Sequence, residues 1–189
     1  MAQDLLSRLL ATHDRLLADG ATGTNLFNMG LSSGEPPEFW NIEQPDNIRS
    51  LYRNAVQAGS DLFLTNSFGG NAARLKLHSA QGRVGELNRV AASLGREIAD
   101  VAGRPVVVAG SMGPTGEIFE PMGTMTHALA VEIFHEQAEA LKAAAKKKAE
   151  LAKKLAAKKK AELAKKAALK KKIEAKKVAD RKKVELAKK

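Results

Sequence analysis

Three short stretches of this chain collect the residue types that hold small ligands. They are Asp19-Gly20-Ala21-Thr22-Gly23-Thr24-Asn25, Asn66-Ser67-Phe68-Gly69-Gly70-Asn71 and Gly110-Ser111-Met112-Gly113-Pro114-Thr115-Gly116, and each follows a short apolar run. Glycine lets the backbone approach a ligand, while Asp, Asn, Ser and Thr supply hydrogen-bonding groups. One such loop, or Asp19 by itself, reads as a turn. Three at equivalent places read as one shared binding site. Other chemistry finds less support. Glu132-x-x-His135 has the spacing of half a carboxylate–imidazole metal pair, but no second pair exists, and a solvated helix face is the simpler reading. His13, His78 and His127 have no clear partners in sequence. Ser67 and Ser111 lack the G-x-S-x-G elbow of a hydrolase nucleophile. Neither GxGxxG nor GxxxxGK[ST] occurs, so dinucleotide and Walker-type sites have no basis. The absence of cysteine excludes a disulfide framework, a zinc finger and a cysteine nucleophile.

The elements that must position these loops follow from apolar periodicity. Leu5, Leu6, Leu9 and Leu10 form an amphipathic helical start. Arg15-Leu16-Leu17-Ala18-Asp19 reads as a buried strand that stops at Gly20. Asp46 caps a predicted helix through Ala58, with Ile48, Leu51, Tyr52, Ala55 and Val56 on one face, and Gly59 ends it. Asp61-Leu62-Phe63-Leu64-Thr65 is the second predicted strand, followed by helical pattern over 72–77 and 84–101. Pro105-Val106-Val107-Val108-Ala109 is the third, apolar enough to be covered on both faces, and a helix starts again near Thr126. Strands alternating with helices imply an α/β fold with a parallel sheet and right-handed crossovers. The polar loops then lie at the C-terminal strand ends, where such folds hold ligands.

Composition divides the chain in two. The whole carries 31 Lys+Arg against 21 Asp+Glu, a net charge of +10. Residues 1–141 have a net charge of −6 and residues 142–189 a net charge of +16. All eight aromatic residues lie in the first part, so only that part is equipped to build a packed core. Two regions are expected, 1–141 and 142–189. No run approaches the ~18 apolar residues of a membrane span. Met1-Ala2-Gln3-Asp4 lacks the basic start and apolar core of a signal peptide. A reducing, cytoplasmic setting is therefore expected.

The strings Asp19-Gly20-Ala21-Thr22-Gly23-Thr24, Pro37-Glu38-Phe39-Trp40-Asn41, Ala58-Gly59-Ser60-Asp61 with Thr65-Asn66-Ser67-Phe68, and Gly110–Gly116 occur in an order and spacing that resembles the homocysteine S-methyltransferase family. The likeness is to betaine–homocysteine methyltransferase-like proteins and the homocysteine module of methionine synthase, over residues from about 10 to 142. It implies an eight-stranded TIM-type (βα) barrel and methyl transfer to the sulfur of homocysteine, held as a thiolate by a zinc ion on three cysteines. The thiolate is the nucleophile, and the metal lowers the thiol pKa. By this resemblance Asp19 and Gly20 hold the amino-acid end of homocysteine, Thr65 and Asn66 form the polar loop after strand two, and Ser111 and Gly113 belong to a rim segment of the same pocket.

The departures are large. Such a barrel needs ~250 residues and eight strands, whereas three strands are predicted here and no zinc-binding cysteine exists. The expected architecture is a partial barrel of about three βα units followed by a long Lys/Ala-rich helix. Residues 146–157, 158–169 and 170–181 form an imperfect 12-residue repeat with Glu150, Glu162 and Glu174 in register. These are strong helix formers, and a continuous helix from about Thr126 to the C-terminus would be ~95 Å long. Twelve residues leave a 120° offset per repeat, so no coiled-coil seam forms. The expected consequences are no catalytic residues, no bound cofactor and no methyl transfer by this chain, with homocysteine binding by resemblance. Self-association through open sheet edges is expected as well. The alternative function is nonspecific polyanion binding, to nucleic acid or an anionic surface, through the basic segment.

Overall fold

The computed structural model describes residues 4–144. The expected boundary after Leu141 falls inside its last helix, and the repeats of residues 146–181 lie outside the described residues.

Helix α1 (Leu5–Thr12) is capped by Asp4, whose Oδ1 accepts from the Ser7 backbone N–H at 2.8 Å. Of its four leucines only Leu9 is buried, so the sequence's amphipathic stripe is mostly solvent-exposed among the described residues. The predicted first strand is reduced to a single parallel bridge between Ala18 and Leu62. Two backbone N–H groups, of Asp61 and Leu62, converge on the Leu17 carbonyl there. The glycine-rich stretch after it contains a helix, α2 (Thr22–Asn28), entered through Ala21 at φ 55°.

A 3₁₀ turn (Pro37–Phe39) leads into the short helix α3 (Trp40–Glu43) and then α4 (Pro45–Gln57). The start of α4 corrects the sequence expectation. Gln44, not Asp46, occupies the N-cap, because Pro45 takes the first helical position, which needs no N–H. Asp46 sits in the first turn and pairs with Arg49 at 2.9 Å. At the other end Gly59, at φ 98°, turns the chain out of the helix as expected.

Strand β1 (Leu62–Leu64) pairs in parallel with β2 (Val107–Ala109), Phe63 opposite Val108. Between them lie α5 (Ala72–Lys76), a 3₁₀ turn (Gln81–Arg83) and α6 (Val84–Asp100). After β2 the chain passes through the 110–116 loop to a helix over 127–144, α7. Thr126 Oγ1 caps it by accepting from the Leu129 N–H at 3.1 Å. The sheet is thus small, parallel and open. Val106 is buried but β2 itself is half-buried, so the expected cover on both faces is incomplete among the described residues.

The core lies between this sheet and the helices α4 and α6. Leu26, Ile48, Tyr52 and Phe63 are all but fully buried, each stabilising the fold by roughly 1.5–3 kcal/mol. Tyr52 and Phe63 stack at 4.8 Å between ring centroids. Gly95 lets α6 press on the sheet. A Cβ there would meet Val108 Cγ1 at 2.8 Å and Phe63 Cε2 at 3.3 Å.

Candidate functional site

A cavity of about 450 Å³ opens at the C-terminal end of β1. Its walls come from the start of α2, the 34–38 segment, the loop after β1, α5 with His78 just past it, and Ser111 of the loop after β2. Leu26, Pro36, Pro37, Leu64, Phe68 and Leu75 make the lining largely apolar. Its polar groups arrive on a few fixed backbone positions, the usual composition of a small-molecule site.

The loop after β1 is held by side chains from α3, α4, α6 and α7. Asn66 is nearly fully buried, and its backbone N–H donates to the Tyr52 hydroxyl at 2.7 Å. Burial pushes the Tyr52 phenol far up, so it stays protonated and neutral. Asn66 Nδ2 donates to the Pro37 carbonyl (2.8 Å) and to Asn41 Oδ1 (3.1 Å), while Asn41 Nδ2 donates back to the Asn66 carbonyl (2.8 Å). The next carbonyls are met in turn. Gln137 Nε2 of α7 donates to Ser67 O at 2.7 Å, and Asn88 Nδ2 of α6 donates to Gly70 O at 2.7 Å. The Gln137 Oε1 is the one fully buried side-chain polar atom without a partner among the described residues.

A closed hydroxyl ring joins the two strand-end loops. The Ser111 N–H donates to Thr65 Oγ1 (3.0 Å), and Ser67 Oγ donates to the Ser111 carbonyl (2.7 Å). With the serine proton so used, Thr65 Oγ1 donates to Ser67 Oγ at 2.6 Å. Gly113 closes the same contact. Its N–H donates to Phe68 O at 2.7 Å, and a Cβ on it would stand 2.5 Å from that oxygen.

The sequence-predicted residues therefore separate. Thr65, Asn66 and Ser111 line the cavity, and Gly113 holds its rim without lining it. Asp19 and Gly20 lie outside the cavity wall. Asp19 is half-buried and continues the sheet ladder, its Oδ1 accepting from the Leu64 N–H at 3.1 Å. Burial holds its carboxyl above the usual range. Gly20 has open space where a Cβ would stand. Glu132 and His135 are both exposed on α7, as a solvated helix face requires.

Several residues were missed by sequence reasoning. Glu38 is buried on the cavity wall, with Oε1 accepting from the Gly69 N–H at 2.6 Å, and its burial raises its pKa. Arg74 and His78 stand at the cavity from α5 and its exit. Asn88 and Gln137 had a legible signal, since each is a polar residue on the apolar face of its helix. Asn88 lies among Val84, Leu87, Ala91 and Ala92, and Gln137 follows Ala130 and Ile133.

The zinc site that the resemblance implies does not fit this chain. The sequence has no cysteine, and among the described residues no group of three or more His, Cys, Asp or Glu is placed to hold a metal ion.

The sequence profile of the homocysteine S-methyltransferase family matches residues 16–180. This match runs past residue 142, where the string-by-string likeness ends. The methionine synthase of Mycobacterium tuberculosis (strain ATCC 25618 / H37Rv) is 30% identical over 132 residues, 65% of this chain and 11% of that protein. The methionine synthase of Mycobacterium leprae (strain TN) is 31% identical over 108 residues, 52% of this chain and 9% of that protein. Among solved structures, the homocysteine methyltransferase MmuM of Escherichia coli aligns in its metallated form with a TM-score of 0.64 at 24% identity. Its oxidized form aligns with a TM-score of 0.62 at 25% identity, and both alignments cover 75% of this chain and 54% of the other. The chain thus spans about half the length of these solved relatives and about a tenth of the methionine synthases.

Proposed function

The chain belongs to the homocysteine S-methyltransferase family, and from that membership we propose that residues 1–141 are a partial (βα) barrel carrying the homocysteine-binding side of the pocket. The observation that carries this reading is the cavity at the C-terminal end of β1, where Thr65, Asn66 and Ser111 come together from two successive strand-end loops. Its apolar lining suits the short carbon chain of an amino-acid thiol, and its wall offers groups of both charges. Asp19 and Gly20 remain part of the proposal as the entry to α2, whose Thr22 and Gly23 line the cavity.

The same reading gives this chain binding without turnover. A thiol with an ordinary pKa near 8.5 is mostly protonated at pH 7, and no cysteine is present to hold a zinc ion that would lower it. Titration calorimetry of the full chain with homocysteine tests binding, with saturable heat as the expected result. Flat heats up to tens of millimolar overturn the reading. Methyl transfer with added zinc and a methyl donor is expected to stay at the level of a peptide of residues 142–189. Turnover above that control refutes the inactivity.

A second activity rests on charge alone. Residues 142–189 carry a net +16 with no aromatic residue to stack on bases. They are therefore proposed to bind polyanions without sequence preference.

A further inference from the structure

We propose that a ligand filling the cavity makes Glu38 take up a proton from solvent, so that binding tightens as the solution is acidified. The proposal rests on the reading of this cavity as the homocysteine pocket and adds to it a proton coupling. On that reading the amino-acid end of the ligand lies towards Asp19, Gly20 and the entry of α2. The wall at 34–38 then meets the uncharged, thiol-bearing chain.

Glu38 sits in the 3₁₀ turn Pro37–Phe39, is 4% exposed and lines the cavity. The water nearest its carboxylate is therefore water in the cavity. A buried carboxylate keeps its charge only with hydrogen bonds, a neighbouring cation or water. The protein supplies little of this. Oε1 accepts from the Gly69 N–H at 2.6 Å, and among the described residues no other residue donates to Oε2. Burial is the strongest influence on this carboxyl and holds it above the usual range. Its own backbone N–H, that of Gly69, and the more distant charges of Arg74 and His78 work the other way.

The seat is tight. A Cβ at Gly69 would stand 3.1 Å from Oε1 and 3.4 Å from Oε2, and Asn66 Nδ2 holds the adjacent Pro37 carbonyl at 2.8 Å. These contacts keep the carboxyl group at the wall when the cavity fills. Replacing cavity water by an uncharged chain removes hydration from the charged form and costs the neutral acid little. The carboxylate then takes a proton from the buffer and becomes the acid, with Oε1 keeping its bond from Gly69. The other ionisable groups on the wall are Glu35, Arg74 and His78; α2 and the loops after β1 and β2 bring none. Glu35 already accepts from Trp40 Nε1 at 2.8 Å and from the Ser32 N–H at 3.2 Å. Arg74 stays charged throughout. An imidazole titrates close to this range, so His78 has to be separated from Glu38 by experiment.

The test is titration calorimetry of the full chain with homocysteine from about pH 5 to pH 7, where the ligand's own thiol stays protonated. Each pH is run in two buffers of different ionisation enthalpy, which gives the protons taken up or released. The loaded carboxyl titrates above the free one, so uptake of up to one proton is expected between the two. The Kd should fall by at most about tenfold per pH unit of acidification in that window. Glu38→Gln keeps an oxygen for the Gly69 N–H and cannot titrate, so its heats should not depend on the buffer. His78→Gln should keep the uptake. Circular dichroism and the Trp40 emission check that each variant folds as the parent does. No uptake by the parent, equal uptake by Glu38→Gln, or loss of uptake in His78→Gln overturns the proposal. So does proton release on binding, the sign of an ammonium group set against the carboxylate. Propane-1-thiol, which has no amino-acid end, separates the coupling from the homocysteine reading. If it binds with the same uptake while homocysteine does not bind, the coupling stands and that reading falls. If homocysteine binds without uptake, the coupling falls and that reading stands. Failure of both probes to bind overturns both.

Discussion

Asn66→Asp puts the site's scaffold to the sharpest test because it changes one atom and almost no volume. The side-chain nitrogen of Asn66 donates at 2.8 Å to the Pro37 carbonyl and at 3.1 Å to Asn41 Oδ1. Both acceptors are then faced by a carboxylate oxygen instead of a donor. Two buried acceptors stranded in this way cost about 1–3 kcal/mol each. The buried carboxylate is the same loss seen from its other side, and about 3–5 kcal/mol in all is usual for a buried charge left unpaired. The expected loss at pH 7 is therefore about 3–5 kcal/mol. Trp40 reports it directly. It is the only tryptophan, it is buried in the main core, and it precedes Asn41 in α3. With a urea slope of about 1–3 kcal/mol per molar, the midpoint should fall by at least ~1 M. The sign of the pH dependence is fixed as well. Burial and two facing acceptors raise the folded-state pKa of the introduced carboxyl above its unfolded value. The deficit is then largest above that folded pKa and shrinks as the pH falls through it, since the protonated group donates again. A midpoint shift below ~0.3 M at pH 7, or a deficit that grows on acidification, would refute the account of how this loop is held.

Three further outcomes are expected. Gly113→Ala forces a Cβ to 2.5 Å from Phe68 O and weakens the 2.7 Å bond between that oxygen and the Gly113 N–H. The cost should be roughly 2–4 kcal/mol of stability by urea titration, together with lost homocysteine affinity. Glu38→Gln should raise the urea midpoint at pH 7. Burial lifts the native carboxyl above its ordinary pKa, so the parent loses stability as pH rises through that window and the amide does not, and the two should converge towards pH 4. Heparin or duplex DNA should bind the full chain with a log–log salt slope of about −0.9 per phosphate neutralised, and equal binding after deletion of 142–189 would remove the basic segment from the account.

Much of the fold was legible because the signals are local. Val107-Val108-Ala109 and Leu62-Phe63-Leu64 announce strands, α6 shows its buried stripe at helical spacing, and Gly59 stops α4 where its positive φ demands glycine. The family strings likewise marked the three loops at the strand ends. Less legible were features that compete locally. Pro45 displaced Asp46 from the cap, and the glycine-rich stretch after Gly20 still formed α2.

The sequence by itself determined the strands 62–64 and 107–109 and the helices around 46–57 and 84–100, where the charge lies, and that no thiolate exists to hold a metal. Each of these depends on residue identity or on neighbours a few positions away. Only the tertiary structure decided which polar residues meet. Asn41 and Tyr52 reach Asn66 from 25 and 14 residues away, and Gln137 reaches Ser67 across 70. It also turned Asp19 into a ladder-extending acceptor, and it brought Glu38 and Arg74 to one cavity. The physical reason is that periodicity encodes burial, whereas a hydrogen bond or a charge pair depends on distance and direction. Those are set only when the helices pack on the sheet.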